Sequence, residues 1–274
     1  MNPGASCRIR AASNGRIAWR DVAAFTVLAL LVVRVVGAVA LEALFPTAPD
    51  FVIDLVDNNT PAIAALLMLL LVSREGVRGS LGPLGPWRLH VWAVLLPALI
   101  TLIAVLVVAA TGSGHFGSET DEPLWSAIPA LVAVTLLMVF GEEYGWRGYL
   151  LPKLLPLGEV RASLIVGVIW GVWHFPNALQ ESTAVDAIAV LVFYIIGNTA
   201  LSPLFTRFFL VSGGSVAVVW ILHAGFNVFA TLTIEHLMVV DELLFGSIIL
   251  VLIAMASGLM YWRRRPSANR PTAH

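Results

Sequence analysis

Two adjacent carboxylates and an arginine stand out in Gly141-Glu142-Glu143-Tyr144-Gly145-Trp146-Arg147-Gly148-Tyr149-Leu150, directly after an apolar run from Leu124 to Phe140. That run reads as membrane-spanning helix. A charged side chain at bilayer depth costs about 3 kcal/mol on insertion scales, so such groups are kept where they pair, face a polar cavity or do chemistry. If the helix continues, Glu143 and Arg147 lie four residues apart on one face and can pair. Glu142 is rotated from Glu143 by about 100° and lacks that partner. One carboxylate neutralised and its neighbour left over is the feature to explain.

Three further polar groups sit inside or at the ends of apolar helices. His174 closes Trp170-Gly171-Val172-Trp173-His174-Phe175-Pro176. His223 and Asn227, at i and i+4, share a helical face. Asn198 lies in a third run. Each has a plain structural reading. A lone histidine is usually a satisfied core group, and an intramembrane asparagine is interhelical glue worth about 0.6 kcal/mol. Glu-Glu-x-x-x-Arg alone is a structural ion pair with an interfacial acid. Together, two carboxylates, two histidines and an amide in a chain only 12% charged make a constellation for acid/base work. Asn198 is recommended by depth alone and keeps its structural reading. His90, His115, His236 and His274 fall in or near loops and tails and carry no functional reading. Two histidines and a glutamate can also hold zinc with a position open for water.

The elements that must position these groups follow from composition. Of 274 residues, 59% are hydrophobic, whereas a soluble domain carries about 25% charged residues. The expected fold is all-α, a polytopic membrane bundle of about eight helices forming one domain over residues 21–263, between a basic tail, 1–20, and a polar tail, 264–274. Net charge is −1, which gives no nucleic-acid signature, and the single cysteine, Cys7, excludes an internal disulfide framework. Spans are expected at Val22–Phe45, Pro61–Val72, Leu89–Ala110, Leu124–Phe140, Ala162–Trp173, Ala187–Leu201, Ser215–Ile234 and Leu243–Trp262. An acidic loop covers Pro46–Asn59, Pro152 and Pro156 break the helix after the charged stretch, and Ser202–Gly214 is a connector. Arg34, deep in the first span, is expected to pair with an acid on another helix, with a cavity role as the alternative. All of the 16 Lys and Arg except Arg34 and Arg147 fall in the tails or in connectors on their side of the membrane. By the positive-inside rule both termini are cytoplasmic.

Glu142-Glu143-x-x-x-Arg147, Trp170-x-x-x-His174 and His223-x-x-x-Asn227, in that order on successive helices, resemble the CPBP family, the CAAX proteases and bacteriocin-processing enzymes also called Abi. One departure is visible: the family usually has phenylalanine where this chain has Trp170, a change expected to alter packing more than chemistry. The resemblance implies an intramembrane endopeptidase acting on a membrane-tethered peptide or protein, in contact with lipid. It assigns Glu142 as general base, His174 as the group that shares and orients the water, and His223 and Asn227 as oxyanion donors. Glu143 with Arg147 would hold the helix, and Tyr144 and Tyr149 would line the cavity. The expected mechanism uses glutamate without a cofactor, and zinc on Glu142, His174 and His223 is the alternative.

Two other classes compete. A non-catalytic scaffold or bacteriocin self-immunity protein of the same family would tolerate changes at Glu142, His174 and His223. A transporter is disfavoured, because the charged groups cluster in one half and no pair of broken helices recurs in two halves. The Ala/Val/Arg-rich, lysine-poor composition points to a high-GC bacterial genome and hence a bacterial membrane. There a peptide leader or a membrane-bound regulator is an alternative to a prenylated substrate.

Overall fold

The computed structural model describes residues 15–73, 77 and 79–262. Cys7, the polar tail and most of the basic tail lie outside them. Ten helices follow in order: α1 (residues 19–44), α2 (Asp50–Asn58), α3 (Thr60–Val72), α4 (Trp87–Thr111), α5 (Leu124–Leu157), α6 (Glu159–Trp173), α7 (Phe175–Ala178), α8 (Ala184–Val211), α9 (Val216–His236) and α10 (Glu242–Trp262). By length and composition, five of them can cross a membrane: α4, α5, α8, α9 and α10. A sixth span arises if α2 and α3, which meet at a bend of 48°, count as one. α6 has 15 residues, and α1 is built of three consecutive helical segments. The chain is an integral membrane protein with a helical-bundle fold.

The helices pack as the bilayer requires. α4 turns Ala93, Pro97, Ile100, Ala104 and Val108 inward, while Leu95, Leu99, Leu102 and Leu106 point out. Small residues inward let backbones approach, and large apolar ones outward meet lipid at no cost.

The charged stretch is not the end of a span. α5 is one helical run of 34 residues, and Glu142 lies near its middle. Pro152 and Pro156 do not break it; it ends at Gly158, whose φ of 88° is open to glycine. The turn Tyr144–Leu150 is wound as a π-helix, a distortion that often marks functional positions. Every residue from 141 to 151 is buried. This half of α5 is the axis of the bundle, with Trp146 wedged edge-on between Phe25 and Trp173.

Two pairs of glycines bring helices into close contact, one pair on that axis and one on α6. A Cβ at Gly145 would stand 2.5 Å from Pro61 Cβ, and one at Gly141 would overlap Asn59. On α6, a Cβ at Gly167 would stand 2.6 Å from Thr199 Cα, and one at Gly171 would overlap Ile195 Cα of α8. These are small-x-x-x-small contacts of the membrane type. Gly171→Val is expected to cost about 3 kcal/mol or more, since backbone cannot give way as a side chain can. In detergent it should lose its monodisperse folded peak, whereas Gly258→Val, where an added Cβ meets nothing within 4 Å, should keep it.

Several expectations are corrected. The acidic loop contains α2; Asp50, Asp54 and Asp57 recur at helical spacing on it. The expected connector Ser202–Gly214 is helical as far as Val211, and Thr206 Oγ1 bonds Ser163 Oγ of α6 at 3.2 Å. Its polar residues face a neighbouring helix instead of water. Two loops also form a short antiparallel pair, β1 (Gly114–Phe116) with β2 (Met238–Val240), in the register Gly114 to Val240. Strands of three residues leave no alternation to read. At the other end of α4 and α9, Val216 N–H bonds Leu81 O at 3.1 Å and Ser215 Oγ bonds Leu84 O at 2.9 Å. The loops between helices thus join in pairs at two opposite ends of the bundle.

Candidate active site

Glu143 is fully buried, and its Oε1 accepts two bonds: from Arg147 Nη1 at 2.8 Å and from His223 Nδ1 at 2.8 Å. The first is the i,i+4 pair expected from spacing. The second comes from α9 and was not legible, because it joins residues 80 positions apart. Arg147 is buried with its guanidinium between the faces of Trp170, 4.4 Å away, and Phe205, 4.6 Å away. Glu143 therefore does more than hold its own helix. A carboxylate that accepts from Nδ1 fixes the tautomer of His223 and leaves Nε2 as the nitrogen that can serve the cavity this residue lines.

Glu142 points away from Arg147, as its rotation about α5 requires. Its Oε2 accepts from Trp170 Nε1 at 2.5 Å. The indole at this position, expected to alter packing more than chemistry, thus adds a hydrogen bond to its packing. No hydrogen bond holds Oε1 among the described residues.

His174 follows the last residue of α6, where Pro176 in the first turn of α7 redirects the chain. Its ring lies parallel to Tyr194 of α8, 4.3 Å between centroids at 9°, and meets Trp173 edge-on. The Gly171 contact makes this stack possible by bringing α6 against the α8 backbone at Tyr194 and Ile195.

Glu142, Trp170, His174, His223 and Asn227 line one cavity of about 380 Å³. The rest of its wall includes Asn58, Tyr194, Asn198, Phe226 and residues of α10. Asn227 is exposed and His174 partly so. Asn198, read as structural, lies on this wall and donates Nδ2–H to Tyr194 O at 3.0 Å. Tyr194 and Asn58 were missed. Tyr194-x-x-x-Asn198 repeats the i,i+4 spacing of His223-x-x-x-Asn227, and that was the available signal. Tyr144 and Tyr149 do not line the cavity: Tyr144 bonds Ser80 at 2.7 Å and Tyr149 packs on Phe25. Arg34 does not line it either. It pairs with Asp57 at 2.7 Å, donates to Asn177 Oδ1 at 3.0 Å and lies 4.2 Å over the Trp173 ring.

Glu142, His174 and His223, the zinc set considered from sequence, all line this cavity. Among the described residues no group of three or more His, Cys, Asp and Glu is arranged to hold a metal ion. Glu142 Oε2 and His223 Nδ1 are already engaged.

The sequence pattern of the family described as Type II CAAX prenyl endopeptidase Rce1-like matches residues 123–229. That stretch holds Glu142, Glu143, Arg147, Trp170, His174, His223 and Asn227. A curated relative, CAAX prenyl protease 2 of Methanococcus maripaludis, is 35% identical over 91 residues, 30% of this chain and 31% of that protein. The chain thus matches less than a third of the relative's length. Through the segment that builds the charged wall of this cavity, the chain is similar to the type II CAAX prenyl endopeptidases.

Proposed function

We propose that the protein is an intramembrane endopeptidase that hydrolyses a peptide bond of a membrane-tethered substrate with water activated by Glu142. The observation that carries this reading is the division of labour between neighbouring carboxylates. Glu143 is tied to Arg147 and His223, while Glu142 lines a cavity with two imidazoles and an amide.

In the proposed reaction, Glu142 Oε1 takes a proton from a water that His174 orients. The water oxygen bonds the scissile carbonyl carbon, and the carbonyl oxygen becomes an oxyanion. Asn227 Nδ2–H donates to it, and preorganised donors of this kind are commonly worth 10²- to 10³-fold in rate. His223, whose Nδ1–H is given to Glu143, donates from Nε2 to the oxyanion in its imidazolium form. The proton on Glu142 then passes to the leaving nitrogen as the C–N bond breaks, and the carboxylate is restored. No step passes through a metal.

The relative's name makes a prenylated CAAX peptide the first substrate class to try, and a peptide on another lipid anchor the second. We place the protein in a bacterial cell membrane with both termini cytoplasmic. The lysine and arginine distribution supports this orientation, and so does the pairing of loops at two opposite ends of the bundle.

The test uses the full chain in proteoliposomes. It is given a farnesylated CAAX peptide, the same peptide unprenylated, and the same peptide carrying a fatty acyl chain, with products read by mass spectrometry. Endoproteolysis of a lipid-bearing peptide, with the unprenylated one much slower, is the expected result. Folded protein that cleaves none of the three would leave the scaffold or immunity reading in its place.

A further inference from the structure

Trp170 touches every group that the proposed reaction assigns on α5 and α9 except Asn227. Its Nε1–H donates to Glu142 Oε2. Its face covers the Arg147 guanidinium at 4.4 Å, and that arginine holds Glu143. The His223 ring stands edge-on to it, 5.3 Å between centroids. It lies one turn before His174 on the same helix, and it is 1% exposed. A phenylalanine here would keep the face over Arg147 and the edge contact with His223. It would lose the one thing an indole adds, a donor aimed at the spare carboxylate.

We infer that Trp170 is a positioning residue for Glu142: its N–H holds Oε2 and thereby presents Oε1 to the reacting water. The inference rests on the proposed endopeptidase reading and adds a residue to it. A carboxylate on a glutamate side chain has three rotatable bonds, and α5 gives this one no arginine to hold it. The indole supplies the missing constraint across 28 residues of sequence. The same ring, by its face, steadies the cation that neutralises Glu143. One side chain thus keeps the two neighbouring carboxylates in different roles.

The contribution is to geometry at the moment of proton transfer, so its loss belongs in kcat. A hydrogen bond to an ionised group, removed without replacement, corresponds to about a 10- to 100-fold fall. The experiment compares three proteins in proteoliposomes on whichever lipid-bearing peptide the wild type cleaves: Trp170→Phe, Trp170→benzothienylalanine (the same shape and aromatic face, with sulfur in place of N–H) and Glu142→Gln. Both Trp170 variants are expected to lose kcat by that factor with KM within about 2-fold. Because the benzothienyl ring keeps the packing on Arg147, it should melt with the wild type. If the benzothienyl variant keeps wild-type kcat, or loses activity only through KM, the inference is overturned. An active Glu142→Gln would instead overturn the endopeptidase reading itself.

A readout that needs no substrate completes the test. Ultraviolet resonance Raman spectra of wild type and Glu142→Leu should differ by one indole, among the nine tryptophans, that loses a strong hydrogen bond. That difference should vanish in the Trp170→Phe background. Superimposable spectra of wild type and Glu142→Leu would overturn the inference whatever the kinetics.

Discussion

Glu142→Gln is expected to lower cleavage of a lipid-tethered peptide by about 10³-fold or more, at the upper part of the 10²- to 10⁴-fold range of general bases, while the protein melts at the wild-type temperature. The substitution keeps side-chain length and an oxygen that accepts from Trp170 Nε1. It removes only the capacity to take a proton from water. Glu142 has no ion-pair partner among the described residues, so no cation is left stranded in the core. A folded, fully active Glu142→Gln would mean that the spare carboxylate is not the base. The cavity would then need another group to activate water, and the resemblance would extend to fold alone.

The neighbouring carboxylate should behave in the opposite way. Glu143→Ala is expected to destabilise the fold by about 3–5 kcal/mol, the usual result of removing one partner from a buried ion pair. Arg147 is 0% exposed and lies between two aromatic faces, so its charge cannot swing out to water. Native proteins hold only about 5–15 kcal/mol in total, and this single change should therefore lower the melting temperature sharply in detergent. Replacing both partners, Glu143→Leu with Arg147→Met, should recover most of that stability, because apolar pairs of similar volume often match buried ion pairs. Activity should not return with it. In the double variant His223 Nδ1 has lost the carboxylate that fixes its tautomer. Recovery of both stability and activity would show that Glu143 is structural alone; a wild-type melting temperature for Glu143→Ala would show that the pair does not support the fold.

These opposite expectations for adjacent residues show where sequence spacing suffices and where it fails. The Glu143–Arg147 pair is local, set by 3.6 residues per turn, and the structure bonds it as the spacing requires. The same periodicity turned Glu142 away from the arginine. The ends of helices were less legible. Hydropathy treats Ser202, Thr206 and Arg207, or Lys153 between two prolines, as signs of water. It cannot separate a polar group facing water from one facing another helix, and the chain at 144–157 and 202–211 is helical. α2 was hidden for a related reason: its acids at 50, 54 and 57 have helical spacing, yet their charge suggested a loop. One of them, Asp57, is the acid that Arg34 was expected to need.

By itself, the sequence determined that this is a membrane helical bundle, that two carboxylates are embedded in it with a cation for one of them, and which family the motifs resemble. All of this rests on composition and on contacts within one or two turns. Tertiary structure decided that the histidine of α9 bonds Glu143 and not Glu142, that an indole holds the spare carboxylate, and that Tyr194 and Asn198 share its cavity. Those contacts join helices far apart in the chain. The place of Tyr194 and Asn198 beside His174 depends on how closely two backbones approach at Gly167 and Gly171, where the absence of a side chain sets the distance.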